Sequence, residues 1–130
     1  MIRSLYIKDF ALIDELEVEF GPGLNILTGQ TGAGKSIIIG ALNMILGERA
    51  DTEVIRQGRT KAIAEATITH NNDPALLSAL QQHDIEQHSP IILRREIREN
   101  GSRAFINDSP VTIGVLKSIG DLLVDLHGQY

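Results

Sequence analysis

Apolar and polar residues alternate along the first twenty positions, and this pattern predicts two β-strands. The period-two alternation runs through "SLYIKDF" and then through "LIDELEVEF", as expected when successive side chains point to opposite faces of a strand. In the second stretch, one side holds mostly apolar residues: Leu12, Asp14, Leu16, Val18 and Phe20. Gly21-Pro22-Gly23 then predicts a firm turn after the second strand.

The next forty residues predict a buried strand, a glycine-rich loop and a helix. "LNILT" at 24–28 is a short apolar run typical of a buried strand. From Lys35 to Leu46 the pattern suits a helix, and Gly47 is placed to terminate it. Since "SIIIGALNMILG" is apolar nearly all round at its start, we expect this helix to be well buried.

The second half of the chain mixes strands and helices without strict alternation. "KAIAEATITH" at 61–70 predicts a strand, and Asp73-Pro74 predicts the start of a helix. The segment 90–108 predicts a hairpin around its Asn-Gly pair. A short helix capped by Thr112 and a last strand at 122–130 complete the order. The expected fold is α/β, in one domain, with an antiparallel β portion.

Composition narrows the class of protein only a little. The 130 residues carry a net charge of −5 and no cysteine, which excludes a disulfide framework and thiolate metal sites. The four histidines are scattered and predict no histidine metal site. The longest apolar stretch, 36–47, is too short to span a bilayer, and the charged N-terminus is unlike a signal peptide. We therefore expect a cytoplasmic protein with no membrane partner.

The glycine-rich segment carries the most specific chemistry. It matches G-x-x-x-x-G-K-[ST] at every fixed position: Gly29, Gln30, Thr31, Gly32, Ala33, Gly34, Lys35 and Ser36. Glycines let backbone N–H groups converge on a phosphate at the positive end of the following helix. The Lys35 amine would reach the β- and γ-phosphate oxygens, and the Ser36 hydroxyl would ligate Mg²⁺. The sequence therefore predicts a site for ATP and Mg²⁺.

Three stretches resemble the SMC-like branch of ABC ATPases. "LYIKDFALIDELEVEFGPGLNILTGQTGAGKSIIIGALNMILGERA" is similar to the N-terminal head segment of that branch, including the lead-in to its Walker A loop. "RREIRENGSRAFINDSPV" resembles the head hairpin of its RecN family of bacterial DNA-repair proteins, and "LLVDLHGQY" resembles that family's Q-loop. The resemblance covers the chain from Ile2 to Tyr130.

The resemblance implies a P-loop NTPase: the N-terminal lobe of a split ABC/SMC-type ATPase head with a mixed sheet. Residues 1–130 would be this lobe, truncated before a long coiled coil. The signature motif, Walker B and the catalytic glutamate would lie in a C-terminal half of the same head. Two heads would sandwich two ATP molecules, and the assembly would act on DNA in double-strand break repair. No catalytic residue is assigned within the chain, although Gln129 would sense Mg²⁺ or the attacking water.

Further candidates come with competing interpretations. In related heads the region of Asp9 and Phe10 approaches the ribose or base; alternatively Phe10 is a core residue and Asp9 caps a turn. Arg56 resembles an arginine placed near the nucleotide and the DNA-facing surface, or it forms a surface ion pair with Glu53. His127 is more simply interpreted as a strand-end residue than as a supporting group of the site.

A cluster of arginines stands out in this acidic chain: Arg94, Arg95, Arg98 and Arg103. On a strand Arg94 and Arg98 share one face, and the hairpin brings Arg103 close to them. The cluster could contact DNA phosphates. We favour a solvated hairpin face balanced by Glu96 and Glu99, because the local charge nearly cancels and no aromatic residues interleave to stack bases.

Three other functions remain open. A membrane-transporter ATPase subunit would share the phosphate loop and the Q-loop, but it usually has an aromatic stacking residue upstream. A small P-loop kinase would need an arginine-rich lid and a complete catalytic set. A non-catalytic interaction piece is also compatible with a chain whose sheet edge could associate with another copy.

Overall fold

A computed structural model describes residues 2–20 and 32–126, which form one six-stranded sheet and three α-helices. The sheet order is β2-β1-β3-β4-β5-β6, and each neighbouring pair is antiparallel. The elements are β1 (Ile2–Phe10), β2 (Ile13–Glu19), α1 (Gly32–Ile45), β3 (Lys61–Ile68), α2 (Pro74–Gln82), β4 (Ile91–Arg98), β5 (Gly101–Ile106), β6 (Ser109–Val111) and α3 (Ile113–Leu126). The antiparallel portion is confirmed, whereas the predicted turn at 21–23 and strand at 24–28 lie outside the described residues.

The N-terminal hairpin has the alternation that the sequence predicts, with one exception. Leu5 faces Val18 across the two strands, and Ile7 faces Leu16, so the apolar side of both strands turns toward the core. Leu12 does not belong to that side, because it sits in the two-residue connection between β1 and β2 and is 85% exposed.

Strand β3 presents a row of small residues to the core. Ala62, Ala64 and Ala66 are all fully buried, and α1 packs against this strand. Small side chains on the sheet allow the helix to approach closely. The expectation that α1 is well buried is correct for one side of the helix only: the sheet covers that side, where Ile38 is buried, whereas Ile39 on the other side is 44% exposed.

Helix α1 ends where the sequence predicts, at a glycine. Gly47 has φ +105, and its N–H donates to the Met44 carbonyl at 3.1 Å. The Glu48 N–H donates to the Asn43 carbonyl at 3.1 Å, which completes a Schellman motif. A Cβ on Gly47 would lie 2.5 Å from the Cα of Lys117 in α3. The absence of a side chain therefore allows both the turn and the close contact between the two helices.

The start of α2 and the second hairpin are also confirmed. The Asp73 carboxylate accepts hydrogen bonds from the N–H groups of Ala75 (3.0 Å) and Leu76 (3.4 Å), which caps the first turn of the helix. Strands β4 and β5 pair from their turn outward, beginning with Arg98 opposite Gly101.

The chain after Thr112 differs from the prediction. The helix begins as expected, because the Val115 N–H donates to the Thr112 hydroxyl at 3.1 Å. It then continues to Leu126, so the predicted last strand at 122–130 is wrong over 122–126. Its buried residues repeat at helical intervals: Leu116, Ile119 and Leu123. Among the described helices, none has both the length and the apolar character needed to cross a membrane.

Candidate nucleotide-binding site

The first turn of α1 carries the end of the predicted phosphate loop. Gly32, Ala33 and Gly34 belong to the helix together with Lys35 and Ser36, whereas residues 29–31 lie outside the described residues. Lys35 and Ser36 are exposed, and the first turn of α1 contains no acidic residue. Because the N-terminus of a helix presents backbone N–H groups and a positive dipole end, this turn offers donors and positive charge to an anion.

The residues at this turn fit a magnesium–phosphate ligand in their chemistry. Lys35 supplies an ammonium group for phosphate oxygens, and Ser36 supplies a hydroxyl oxygen of the kind that Mg²⁺ accepts. Gln129, the second predicted Mg²⁺ contact, and His127 both lie outside the described residues. The described ranges contain no cluster of three or more His, Cys, Asp or Glu side chains that could hold a metal ion.

A surface depression of about 530 Å³ lies between the β1–β2 turn and the segment 56–59, with Ala11 and Leu12 on one wall. Backbone bonds hold the two walls together. The Ala11 N–H donates to the Val54 carbonyl, and the Arg56 N–H donates to the Asp9 carbonyl at 2.9 Å. The structure therefore brings together two regions, around Asp9 and around Arg56, that lie far apart in the sequence.

The side chains at this depression bear on the alternative roles predicted for Asp9, Phe10 and Arg56. Phe10 is 3% exposed and belongs to the core, so its ring is not available to stack on a base. Asp9 has φ +51, and its carboxylate lies 3.6 Å from the Arg59 side chain. The Arg56 guanidinium lies 3.4 Å from the Asp14 carboxylate. The sequence suggests Glu53 as an ion-pair partner of Arg56, whereas in the structure the partner is Asp14.

Arg94 is neutralised by carboxylates on the outer face of the sheet. Its guanidinium lies 3.5 Å from Glu65, 3.4 Å from Glu96 and 3.1 Å from Asp108. It also lies over the Phe105 ring, 4.4 Å from the centroid. These contacts support the balanced hairpin face favoured from the sequence, with Glu96 as a predicted partner.

Arg95 has a role that sequence reasoning missed. It points to the opposite face from Arg94 and is 1% exposed, so it does not belong to a surface patch. Arg98 and Arg103 are exposed. The signal was present in the alternation of "IILRREIR", where Arg95 shares the inward face with Ile91, Leu93 and Ile97.

The comparisons with known proteins agree with these features. Residues 4–120 match the sequence model of the AAA domain family. The chain belongs to this family. It is 46% identical over its full length to the DNA repair protein RecN of Xylella fastidiosa (strain 9a5c), and 42% identical to RecN of Bacillus subtilis (strain 168). The chain spans 24% and 23% of the length of these two curated relatives.

Solved structures show the same fold at low identity. A structure from work on ATP-driven dimerization and DNA-stimulated activation of SMC ATPases aligns over 99% of this chain and 80% of its own, with a TM-score of 0.72 and 18% identity. The recombination mediator RecF aligns over 89% of this chain and 29% of its own, with a TM-score of 0.66 and 12% identity. The fold is therefore that of the N-terminal lobe of a P-loop ATPase head, as the sequence predicts. The two curated relatives are DNA repair proteins, not transporter subunits or small kinases.

Proposed function

We propose that this AAA domain binds ATP with Mg²⁺ at residues 29–36, as part of a RecN-like ATPase head that acts on DNA. One observation carries the proposal: a complete phosphate-loop motif ends in the first turn of α1, where Lys35 and Ser36 are exposed, in a chain that is 46% identical to a DNA repair protein over its full length. Motif, local structure and relatives thus support the same function.

Each residue of the site has a distinct part. The backbone N–H groups of the loop hold the phosphate oxygens, and Lys35 neutralises part of their charge. The Ser36 hydroxyl holds Mg²⁺, with Gln129 as a second contact on the γ-phosphate side. The bound Mg²⁺ would offset the negative charge that accumulates on the phosphate oxygens during phosphoryl transfer.

Phosphoryl transfer also needs an oriented water and further charge stabilisation, and we assign these to other parts of the protein. In this proposal, residues 1–130 are the N-terminal lobe, and a C-terminal half of the same head completes the site. Two heads dimerise around ATP, and the assembly contacts DNA in the cytoplasm near the nucleoid. The share of the relatives' length that the chain spans, 24%, leaves room for these parts. We expect the chain alone to bind ATP with almost no hydrolysis.

The test measures binding of a fluorescent ATP analogue to the 130-residue chain and to two variants. Lys35→Ala removes the charge at the loop and should weaken binding by at least tenfold, about 1.4 kcal/mol or more. Lys117→Ala is the matched control, because Lys117 is an exposed lysine in α3 that pairs with Asp121 at 3.7 Å. It should bind as wild type does. Equal binding by wild type and Lys35→Ala would overturn the phosphate-loop assignment.

A second measurement tests the division of the head. Steady-state hydrolysis of ATP by the 130-residue chain should stay near the uncatalysed rate, and it should rise when a C-terminal half of a RecN head is added. Rapid Mg²⁺-dependent hydrolysis by the chain alone would contradict the proposal that essential groups lie elsewhere.

A further inference from the structure

Arg95 occupies a core position that is shaped to hold its side chain. On the inward face of β4 it lies between Leu93 and Ile97, which are both buried. Its neighbours on the adjoining strands are Ala64 and Ala104, and both are almost fully buried. Two small cross-strand neighbours leave the space that an arginine stem needs.

The guanidinium group ties the hairpin to the end of α1. Nη1 donates to the Met44 carbonyl at 2.7 Å and to the Glu48 carbonyl at 2.8 Å. Nη2 donates to the Ser102 hydroxyl of β5 at 3.1 Å. One side chain therefore links two strands of the sheet to the last turn of the helix and to its Schellman motif.

The electrostatics of this contact explain why a cation is buried here. Burial lowers the pKa of the Arg95 guanidinium, and within the described part of the chain no carboxylate pairs with it. The last turn of α1 contains no basic residue of its own. Arg95 therefore supplies the positive charge that the negative end of the helix dipole favours, and the carbonyl oxygens take the place of a carboxylate partner.

We propose that Arg95 is a positioning residue for the phosphate loop. Arg95 fixes the C-terminal end of α1 along the helix axis. This fixes the positions of Lys35 and Ser36 at the other end of the helix, where they contact the phosphates and Mg²⁺. Ser36 and Met44 are eight residues apart, or about 12 Å along a rigid helix. This inference rests on the proposed ATP site and adds a residue that does not touch the nucleotide.

The test separates positioning from general stability. Arg95→Met keeps much of the side-chain volume and removes all the guanidinium hydrogen bonds. Arg95→Lys keeps the charge, but its single ammonium nitrogen cannot replace both Nη1, which donates to the two carbonyls, and Nη2, which donates to Ser102. Leu80→Ala is the stability control: Leu80 is fully buried in α2, which contacts α3, and the cavity that alanine leaves should lower the melting temperature. Each variant is measured for melting temperature and for the Kd of the fluorescent ATP analogue, well below the lowest melting temperature.

We expect Arg95→Met to raise the Kd by roughly tenfold or more, Arg95→Lys to raise it less, and Leu80→Ala to lower the melting temperature while the Kd stays at the wild-type value. A wild-type Kd in Arg95→Met, or an equal rise in Leu80→Ala, would overturn the positioning role and leave the ATP site standing. If wild type itself fails to bind, the proposed function fails and this inference fails with it. Should Arg95→Met not fold, Arg95→Lys carries the test by the same criteria.

Discussion

Substitution of Gly47 by alanine tests the contact between α1 and α3. Gly47 has φ +105, and an added Cβ would lie 2.5 Å from the Cα and 2.9 Å from the backbone nitrogen of Lys117. These are backbone atoms, so no side-chain rotation can relieve the overlap. Gly58 is the matched control, because it also has a positive φ (+84) but nothing lies within 4 Å of the position that its added methyl group would take.

The two substitutions should differ by the energy of the overlap. A residue with a Cβ at positive φ costs about 1–2 kcal/mol, and alanine recovers about 0.4–1 kcal/mol by reducing the freedom of the unfolded chain. Gly58→Ala should therefore lower the free energy of unfolding by about 1 kcal/mol. Gly47→Ala adds an overpacking term of about 1–3 kcal/mol, for a total loss of about 2–4 kcal/mol.

Urea denaturation followed by far-UV circular dichroism measures both losses. With a slope of about 2 kcal/mol per molar urea, the middle of the usual range, Gly47→Ala should lower the transition midpoint by about 1–2 M, and Gly58→Ala by clearly less. If the two variants lose the same stability, or if Gly58→Ala loses more, the close approach of α1 and α3 at Gly47 is wrong.

Two further predictions concern single side chains. A hydrogen bond from the Tyr6 hydroxyl to Glu15 (2.6 Å) raises the pKa of Tyr6 to about 12, from the ordinary value of 10.0. Because the unfolded chain loses this proton at lower pH than the folded protein does, the free energy of unfolding should fall as pH rises from about 10 to about 12. The assay is an absorbance titration of tyrosinate in Tyr130→Phe, where Tyr6 is the sole tyrosine. The midpoint should lie near 12, and the added substitution Glu15→Gln should lower it. A midpoint near 10 in Tyr130→Phe with Glu15 intact would refute the contact. Asp73→Ala removes the cap of α2 and should lower the free energy of unfolding by about 1 kcal/mol in the same urea assay, whereas Glu99→Ala in the exposed hairpin turn should change it little; equal effects would argue against the cap.

Strands and helices were predictable from the sequence where a single periodicity or a single turn or capping residue defines their position. Alternation located β1 and β3, Gly47 located the end of α1, and Asp73 located the start of α2. The segment after Thr112 was harder, because "LLVDL" is a short apolar run that suits a strand as well as a buried helix. Its packing as the last turns of α3 depends on contacts with other elements, which one short stretch of sequence does not contain.

The candidate site was predictable as a motif, while its surroundings were not. The phosphate loop is contiguous in sequence, so its residue types and spacing identify it. The contact of Arg95 with the carbonyl of Met44 joins residues 51 positions apart, and only the fold brings them together. The alternation in β4 contains the information that Arg95 faces inward, although the prediction grouped it with the surface arginines, and its partner on α1 cannot be inferred from the strand alone.

The most direct measurement of the central claim is a titration of the ¹⁵N-labelled chain with ATP and Mg²⁺, followed by NMR. The account predicts that the amide signals of Gly34, Lys35 and Ser36 shift with saturation, and that the amide of Phe105 on the outer sheet face stays in place. In Lys35→Ala the amide signals of Gly34 and Ser36 should need at least tenfold more ATP to shift as far, and the amide of Phe105 should again stay in place. Shifts confined to the outer sheet face, or no shifts in the wild-type chain at saturating ATP, would contradict an ATP site at the start of α1.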